Sequence, residues 1–275
     1  MNKSVTIKDI ATRLNIHHTT VSRALRDHPD VNTETKALIV KTAREMRYVQ
    51  NASASNLRSK QSHIIGVIVP GVQYYLFSSI ISTLTKRADE AGYTVMIFQS
   101  DDDYEIEKQN VRALMQNRAA GLIVSVAAGT EKFDHFDLLE KQGIPVVYFD
   151  RVHPDPAKNR IVVDNFQGAY QATEYLIKKG RQDIAFLAGP KDIFTFHERL
   201  EGFTSAMQDY QLPVRQERIY RSENSIRAGQ RLTKQLLTEG TVPDAIFCVI
   251  DLLAFGAMHV IAEKGLRVPQ DIAVI

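Results

Sequence analysis

The stretch from residue 6 to residue 26, TIKDIATRLNIHHTTVSRALR, decides the fold at the start of this chain. Its first apolar residues lie on one face of a helix: Ile7, Ile10, Ala11 and Leu14. Thr6 is a favourable N-cap, with Asp9 as its capping-box partner. Asn15 tolerates the left-handed backbone conformation that a sharp turn requires. We therefore expect two short helices joined by a tight turn.

The second of these helices should run from about His18 to Arg26, with three apolar residues facing inward: Val21, Ala24 and Leu25. Its outward-facing side chains are polar: His18, Thr19, Ser22, Arg23 and Arg26. A third helix is expected from about Thr33, with an apolar face of Ile39, Ala43 and Met46. Three short helices around one small core indicate a helix-turn-helix domain, whose second helix enters the major groove of DNA.

The residue types on the second helix favour a DNA reader over a three-helix bundle without a partner. Arg23 can pair with O6 and N7 of guanine, and Thr19 or Thr20 can contact a thymine methyl group or a phosphate. His18 lies at the front of the helix, where base edges are first met. The adjacent histidines do not predict a metal site, because neighbouring side chains on a helix point about 100° apart.

Charge is distributed unevenly along the chain. Residues 1–60 contain 11 Lys and Arg against 5 Asp and Glu, while the remainder contains 23 basic and 27 acidic residues. A basic module on a mildly acidic body is typical of a protein that binds a polyanion. The chain as a whole is an ordinary globular sequence with 44% hydrophobic residues.

The sequence carries no sign of secretion or of membrane insertion. No apolar run approaches 18 residues, and no apolar stretch follows the first charges. The single cysteine, Cys248, lies in the apolar run AIFCVI and is expected to be a buried, inert thiol. We therefore expect a cytoplasmic protein in a reducing compartment.

Residues 51–60, NASASNLRSK, form an unusual polar segment behind the basic module. Isolated helices shorter than about 12–15 residues are marginal in water, so this segment should become helical only when something holds it. Leu57 is its one large apolar side chain, and minor-groove binders insert such residues between base steps. An ordinary linker is the alternative. The position of residues 51–60 behind a DNA-binding module favours a hinge that deforms DNA.

From His63 onward, apolar strands alternate with amphipathic helices. The expected buried strands are 64–69, 93–98, 121–126, 145–149, 160–163, 183–187, 244–250 and 271–275. This βαβα order predicts an α/β body of parallel sheets covered by helices, and the number of strands suggests two sheets and two lobes. Ligands of open α/β sheets bind beyond the carboxyl ends of the strands. Those ends here are polar or turn-forming: Pro70-Gly71, Gln99-Ser100-Asp101, Ser125, Asp150-Arg151, Gly189-Pro190 and Asp251.

Several motifs together resemble the lactose-repressor (LacI) family of bacterial regulators. They are VTIKDIA at 5–11, TTVSRAL at 19–25, NLRSKQS at the end of the hinge, IGVIVP at 65–70, HERLEGF at 197–203 and GLRVPQDIAVI at 265–275. The resemblance covers the whole chain. It implies a homodimer or higher oligomer on near-palindromic operator DNA, with a body like periplasmic sugar-binding proteins and a small effector between the lobes.

The resemblance also implies roles for individual residues. His18, Thr19 and Arg23 match base-reading positions, Leu57 matches an intercalating leucine, and Ala54 matches a close-packing hinge alanine. The predicted DNA-binding set is Thr6, His18, Thr19, Thr20, Ser22, Arg23, Asn51, Ala54 and Leu57. Arg199 in R-x-x-G-F and Asp251 match effector-binding positions. The predicted effector-binding set is Tyr74, Phe77, Ser125, Arg151, Phe196, Arg199 and Asp251, for a sugar or sugar derivative.

The chain departs from the family pattern at several positions. Leu14-Asn15 replaces the usual Ala-Gly, His17 replaces the usual capping serine, Gln50 replaces a proline, and Ile250 replaces Asn or Ser. His17 is expected to be a cap weaker by about 1 kcal/mol. Family members continue with Gly-aromatic-Asp-Asp and further strands, so the resemblance implies a truncated chain. The expected domains are 1–49 (helix-turn-helix), 50–62 (hinge), 63–161 (first lobe) and 162–275 (second lobe).

An enzyme is not indicated, because the chain lacks the phosphate-loop, dinucleotide, zinc-protease and nucleophile-elbow motifs. The acidic run 101–103 opens a helix and is expected to complement its dipole rather than to bind a metal. No cofactor is expected. The aromatic residues Tyr74, Tyr75, Phe77, Phe194 and Phe196 could stack on a sugar or belong to the core. The alternative function is a sugar-binding protein that does not bind DNA, which the basic module disfavours.

Overall fold

The structure is a computed structural model that describes residues 5–48, 62–239 and 241–275. The predictions for Asn51, Ala54 and Leu57 fall outside these described residues. The chain separates into two compact units, residues 1–61 and residues 62–275, and each is described by itself.

Within residues 5–48, the first unit contains three helices: α1 (Ile7–Leu14), α2 (His18–Ala24) and α3 (Thr33–Glu45). The expected capping box is present, because the Thr6 side chain accepts from the Asp9 amide and the Asp9 carboxylate accepts from the Thr6 amide at 2.7 Å. Asn15 adopts the left-handed conformation, with φ of 51°. Both local predictions are therefore confirmed.

Helix α2 is two residues shorter than its sequence pattern suggested. Asp27 adopts a left-handed conformation with φ of 55°. This conformation lets the amide of His28 donate back to the carbonyl of Arg23 at 3.0 Å, which ends the helix at Ala24. The core of the unit is small and apolar, with Ile10, Val21 and Ile39 fully buried.

The second unit contains two parallel sheets with helices on both faces, as expected. Within its described residues, the first sheet has strands β1 (Ile64–Val69), β2 (Thr94–Gln99), β3 (Gly121–Val124), β4 (Val146–Phe149) and β5 (Arg160–Ile161), in the order β2-β1-β3-β4-β5. The second sheet has strands β6 (Ile184–Ala188), β7 (Ile219–Arg221), β8 (Ala245–Cys248) and β9 (Ala273–Val274), in the order β7-β6-β8-β9. All neighbouring strands pair in parallel.

The helices of this unit connect the strands and cover the sheets. Their bounds are α4 (Tyr75–Glu90), α5 (Tyr104–Gln116), α6 (Asp134–Lys141), α7 (Asn165–Lys178), α8 (Phe194–Asp209), α9 (Ile226–Thr238) and α10 (Asp251–Glu263), with a 3-10 turn at Gln216–Arg218. Strands β6 and β8 are buried along their whole length, because helices cover both faces of the sheet. Cys248 is buried as predicted, and burial raises the pKa of its thiol to about 12. In the described part of the chain, no helix is long and apolar enough to cross a membrane.

Two of the expected buried strands need correction, and one strand was not predicted. The run 93–98 was expected to be buried, but β2 lies at the edge of its sheet, none of its residues is fully buried, and Ile97 is 45% exposed. The run 160–163 was expected to be a buried strand, but β5 covers two residues and Ile161 and Val163 are each 68% exposed. This run lies at the edge of its sheet and pairs with β4 on one side. The sequence reading also missed β7, a half-buried edge strand of three residues. An edge strand this short carries too few residues for an alternating pattern.

Close helix packing in the second lobe depends on glycine. A Cβ atom built on Gly202 of α8 would lie 2.2 Å from the carbonyl oxygen of Phe166 on α7. The two helix backbones are therefore in direct contact at this point, and α7 and α8 are held at a fixed separation. This separation matters for the site described next, because α7 begins with Asn165 and α8 carries Arg199.

Candidate DNA-reading face and ligand cleft

The first candidate site is the polar face of α2 in the first unit. His18, Thr19 and Arg23 are exposed there, whereas Thr20 and Ser22 are half-buried. Arg23 lies 3.7 Å from the carboxylate of Asp30, an exposed pair that contributes little to stability. The guanidinium of Arg23 therefore stays accessible, and the structure brings the predicted reading residues together on one helix.

His17 caps α2 with its side chain. Its Nδ1 accepts from the amide of Thr19 at 3.4 Å and lies 2.8 Å from Oγ1 of Thr19. The imidazole therefore caps the helix at the position where the sequence predicted a weaker cap. It also holds the side chain of Thr19, the second residue of the helix. Thr6, by contrast, uses its hydroxyl within the capping box, where it donates to Asp9 at 2.7 Å. A DNA contact from Thr6 stays a prediction.

The second candidate site is the cleft at the carboxyl ends of the strands in the second unit. On the first lobe, Ser125 follows β3 and Asp150-Arg151 follow β4. Ser125 is fully buried, and its Oγ makes no well-formed hydrogen bond to the described residues. Arg151 is buried and donates to the carboxylate of Asp102, which also accepts from the amide of Ala128 at 3.0 Å. The positive charge of Arg151 is therefore neutralised by the protein itself.

Asp150 is a cleft residue that the effector prediction did not include. Its backbone is left-handed, with φ of 57°, which turns the chain at the end of β4. Burial raises the pKa of its carboxyl group, while the charges of Arg151 and Arg199 and the nearby Ser125 hydroxyl lower it. Asp150 lies on the first lobe and Arg199 on the second, so opposite charges face each other across the cleft.

Arg199 is held rigidly on the second lobe. Its Nε donates to Oδ1 of Asn165 at 2.9 Å, and its Nη1 donates to the carbonyl oxygen of Val249 at 2.6 Å. Burial lowers the pKa of the Arg199 guanidinium, and the charges of Asp150, Glu198 and Asp251 raise it. These bonds leave Nη2 and one Nη1 hydrogen of the guanidinium for a ligand.

Asn165 links Arg199 to a second acidic group. Its Nδ2 donates to Oε2 of Glu198 at 3.0 Å, so the amide orientation is fixed at both ends. Asp251 is exposed at the first turn of α10, where a negative charge is favoured by the helix dipole. The preceding Ile250 makes no side-chain cap. The carboxylate of Asp251 therefore remains open to the cleft rim.

The aromatic candidates divide by exposure. Phe77 and Phe196 are 4% and 6% exposed, so their rings belong mainly to the core. Phe77 packs edge-on against Phe149 with ring centroids 6.0 Å apart, and Phe196 supports the guanidinium of Arg199, whose Cζ lies 5.8 Å from the ring centroid. Tyr74 is half-buried. Direct ligand contacts of Phe77 and Phe196 stay predictions.

Sequence reasoning missed Asn165 and Asn224 as cleft residues. Asn165 hydrogen-bonds to a helix 34 positions away, which no local pattern shows. Asn224 follows β7, and its Oδ1 is buried without a partner among the described residues. A Cβ atom on Gly189 would lie 2.6 Å from this oxygen, which places Asn224 beside the end of β6. The polar run SENS at 222–225 could have indicated this loop, because it ends with Ser225, the N-cap of α9.

A loop after β3 lies between the lobes. Glu107 of α5 is fully buried and accepts from the amide of Ala127 at 2.7 Å, from Oγ1 of Thr130 at 3.0 Å and from Nε2 of His135 at 3.0 Å. On its other side, the amide of Gly129 donates to the carbonyl of Asp192 in the second lobe at 3.5 Å. The loop is thus anchored firmly to the first lobe. The acidic run 101–103 behaves as expected at Asp103, which caps α5.

Family models match both units of the chain. Residues 6–51 match the model described as bacterial regulatory proteins, lacI family, and residues 62–275 match the model described as periplasmic binding proteins and sugar binding domain of LacI family. The chain is 33% identical over 275 residues to the probable HTH-type transcriptional repressor ExuR of Bacillus subtilis (strain 168), covering 98% of this chain and 80% of that protein. It is 33% identical over 272 residues to the HTH-type transcriptional repressor PurR of Pasteurella multocida (strain Pm70), with the same coverage.

Solved structures show the same fold. The lac repressor dimer bound to operator and the anti-inducer ONPF is similar with a TM-score of 0.87 and 30% identity, covering 99% of this chain and 82% of that chain. The complex of the transcriptional regulator CelR with cellobiose is similar with a TM-score of 0.69 and 22% identity, covering 98% and 81%. The second match supports the fold alone.

Proposed function

The chain belongs to the LacI family of bacterial regulatory proteins, and from this premise we propose that it is a transcriptional repressor that binds operator DNA under the control of a small ligand. Its relatives are DNA-binding repressors rather than enzymes. The observation that carries the proposal is the exposed face of α2, with His18, Thr19 and Arg23 on a helix whose start is fixed by a side-chain cap.

The reading face supports sequence-specific rather than purely electrostatic binding. Arg23 presents a guanidinium that can pair with both acceptors of guanine in the major groove. The 11 basic residues within positions 1–60 supply the phosphate contacts that position a reader on the duplex. Residues 50–62 serve as the hinge in this proposal, and two copies of the chain read the two halves of a near-palindromic operator.

The cleft favours a polyhydroxylated ligand such as a sugar or sugar derivative. Acceptors and donors alternate across it: Asp150 and Asp251 accept, while the remaining guanidinium hydrogens of Arg199 donate. Oδ1 of Asn224, which has no partner among the described residues, is suited to a ligand hydroxyl, and Ser125 Oγ lies beside the carboxyl group of Asp150. Arg151 is already neutralised by Asp102, so the cleft keeps no surplus positive charge for a strongly anionic ligand.

Control by the ligand follows from the position of the cleft between the lobes. A ligand that bonds both Asp150 and Arg199 binds most tightly at one separation of the lobes, and differential affinity of a few kcal/mol is sufficient to shift such an equilibrium. The lobe movement then changes how the two hinges of a dimer are held over DNA.

DNA binding is tested by fluorescence anisotropy with the full chain and a duplex from upstream of its own gene. We expect Arg23→Ala to lower specific affinity by about tenfold or more, while binding to random DNA falls much less. Arg87→Ala removes a matched exposed arginine of the body, paired with Glu90 at 3.1 Å, and should change neither affinity. A folded chain that binds the upstream duplex no better than random DNA contradicts the proposal.

The ligand is sought by a thermal-shift screen of sugars and metabolites. A ligand at 100 times its dissociation constant stabilises the folded protein by about 2.7 kcal/mol. We expect a stabilising ligand to change operator affinity as well. A ligand that stabilises the chain and leaves operator binding unchanged argues against ligand control.

A further inference from the structure

The hydrogen bond between His17 and Thr19 has a defined direction. Nδ1 of His17 lies 3.4 Å from the backbone amide of Thr19, and an amide N–H can only donate. With this bond, Nδ1 carries a lone pair and the ring proton lies on Nε2. Because the same Nδ1 lies 2.8 Å from Oγ1 of Thr19, the hydroxyl of Thr19 donates its single proton to His17.

Because the Thr19 hydroxyl donates its proton to His17, it can only accept further hydrogen bonds. A threonine hydroxyl has one proton and two lone pairs, and its proton is engaged by His17. In the major groove, adenine N6 and cytosine N4 are donors, whereas guanine O6 and N7 and thymine O4 are acceptors. An acceptor-only hydroxyl can bond to the first group of bases and not to the second.

The imidazole of His17 is restrained in this position. Its ring centroid lies 4.2 Å from that of His18, with the planes tilted by 43°. His17 is the N-cap with extended backbone angles of φ −73° and ψ 142°, so it precedes the helix while its side chain turns back over the first residues. The capping geometry places Nδ1 against Thr19.

We propose that His17 is a positioning residue that makes Thr19 an acceptor-only reader, which prefers adenine or cytosine at the base that it contacts. The inference rests on the proposed function as a DNA-binding regulator and goes beyond it by assigning a base class to one position of the operator. His17 itself need not touch DNA.

The test is selection of a randomised duplex library with the full-length chain at roughly pH 8, where ordinary imidazoles are neutral. We expect one half-site position to prefer adenine or cytosine by about fivefold, and Thr19→Val to abolish that preference. His17→Ser keeps a capping side chain and releases the Thr19 proton, so it should extend the preference to guanine and thymine.

Two controls separate this effect from a general loss of structure. His17→Ser should have no effect on the base profile in a Thr19→Val background, since the two residues act as one unit. Thr12→Val removes another hydroxyl of the same unit, which donates to the Lys8 carbonyl at 2.9 Å, and should leave the profile unchanged. Circular dichroism of each variant reports its folding.

Specific outcomes overturn the proposal. They are a guanine or thymine preference at the Thr19-dependent position, no such position at all, or a folded His17→Ser variant with the wild-type profile. Failure to enrich any sequence removes the proposed function as well, and is distinguishable from these results. Independently, nitrogen-15 NMR of the full chain should show Nδ1 of His17 without a proton, and a protonated Nδ1 overturns the proposal without any variant.

Discussion

Arg199 donates through Nε to Oδ1 of Asn165 over 2.9 Å, and this bond joins α8 to the start of α7. Asn165→Ala removes the acceptor and leaves a mostly buried guanidinium hydrogen unpaired, which costs about 1–3 kcal/mol. We expect ligand affinity, measured by calorimetry with a ligand from the screen, to fall by about tenfold. Asn117→Ala, which removes an exposed amide bonded to the Ala113 carbonyl, is the matched control and should leave affinity unchanged. Equal affinities of both variants would show that Arg199 does not depend on Asn165.

Gly202 sets the separation of the same two helices. Gly202→Ala places a methyl group 2.2 Å from the Phe166 carbonyl oxygen, so the helices must move apart. We expect the free energy of unfolding in urea to fall by about 1–3 kcal/mol. Gly168→Ala, on α7 in open space, should instead raise it by about 0.5–1 kcal/mol, because alanine is the better helix former. Stabilisation by both changes would contradict the close contact.

The free energy of unfolding should depend on pH through the carboxyl group of Asp150. Burial raises the pKa of its carboxyl group above the ordinary value of 3.8, so the folded protein binds this proton more tightly than the unfolded chain. As pH rises from the pKa of Asp150 in the unfolded chain to its pKa in the folded protein, ionisation of this carboxyl group destabilises the fold. The destabilisation is complete above the pKa of the folded protein. We expect the stability of Asp150→Asn relative to wild type to increase from about pH 4 towards pH 7. Urea unfolding at several pH values measures this difference, and a difference that is constant with pH would disprove the raised pKa.

Glu107 is the anchor of the loop between the lobes. Glu107→Ala leaves the amide of Ala127 and the hydroxyl of Thr130 without their acceptor in a buried setting, and we expect a loss of about 3–5 kcal/mol in the free energy of unfolding. Glu105→Ala, on the same helix, removes an exposed pair with Lys108 and should cost less than about 1 kcal/mol. A similar loss for the two variants in urea would refute the anchoring role.

Features set by neighbouring residues could be predicted from the sequence. The capping box at Thr6 and the left-handed Asn15 depend on a few adjacent positions, and both are present. The parallel sheets followed from runs such as 64–69 and 183–187, which are apolar because helices cover both faces of the strands. The length of helix α2 was overestimated because its end depends on the backbone angle of Asp27, which residue type alone does not determine.

Features set by distant residues could not be predicted. The run 160–163 is apolar, but its exposure depends on its place at the sheet edge. The partnership of Arg199 with Asn165 requires α7 and α8 to pack together, and the charge of Asp150 lies opposite Arg199 only when the two lobes are assembled. Arg151 was predicted as a ligand contact from its position after a strand, and its engagement by Asp102 emerges only from the folded cleft.

The loop that Glu107 anchors has a mechanical consequence. Hydrogen bonds of 2.7–3.0 Å from Ala127, Ala128 and Thr130 fasten it to Glu107 and Asp102 of the first lobe, whereas its bond from Gly129 to Asp192 in the second lobe is 3.5 Å long. Because the Gly129 bond is the longest of these, we expect a separation of the lobes to break it and to leave the loop on the first lobe. The loop therefore has a strong attachment to the first lobe and a weak attachment to the second.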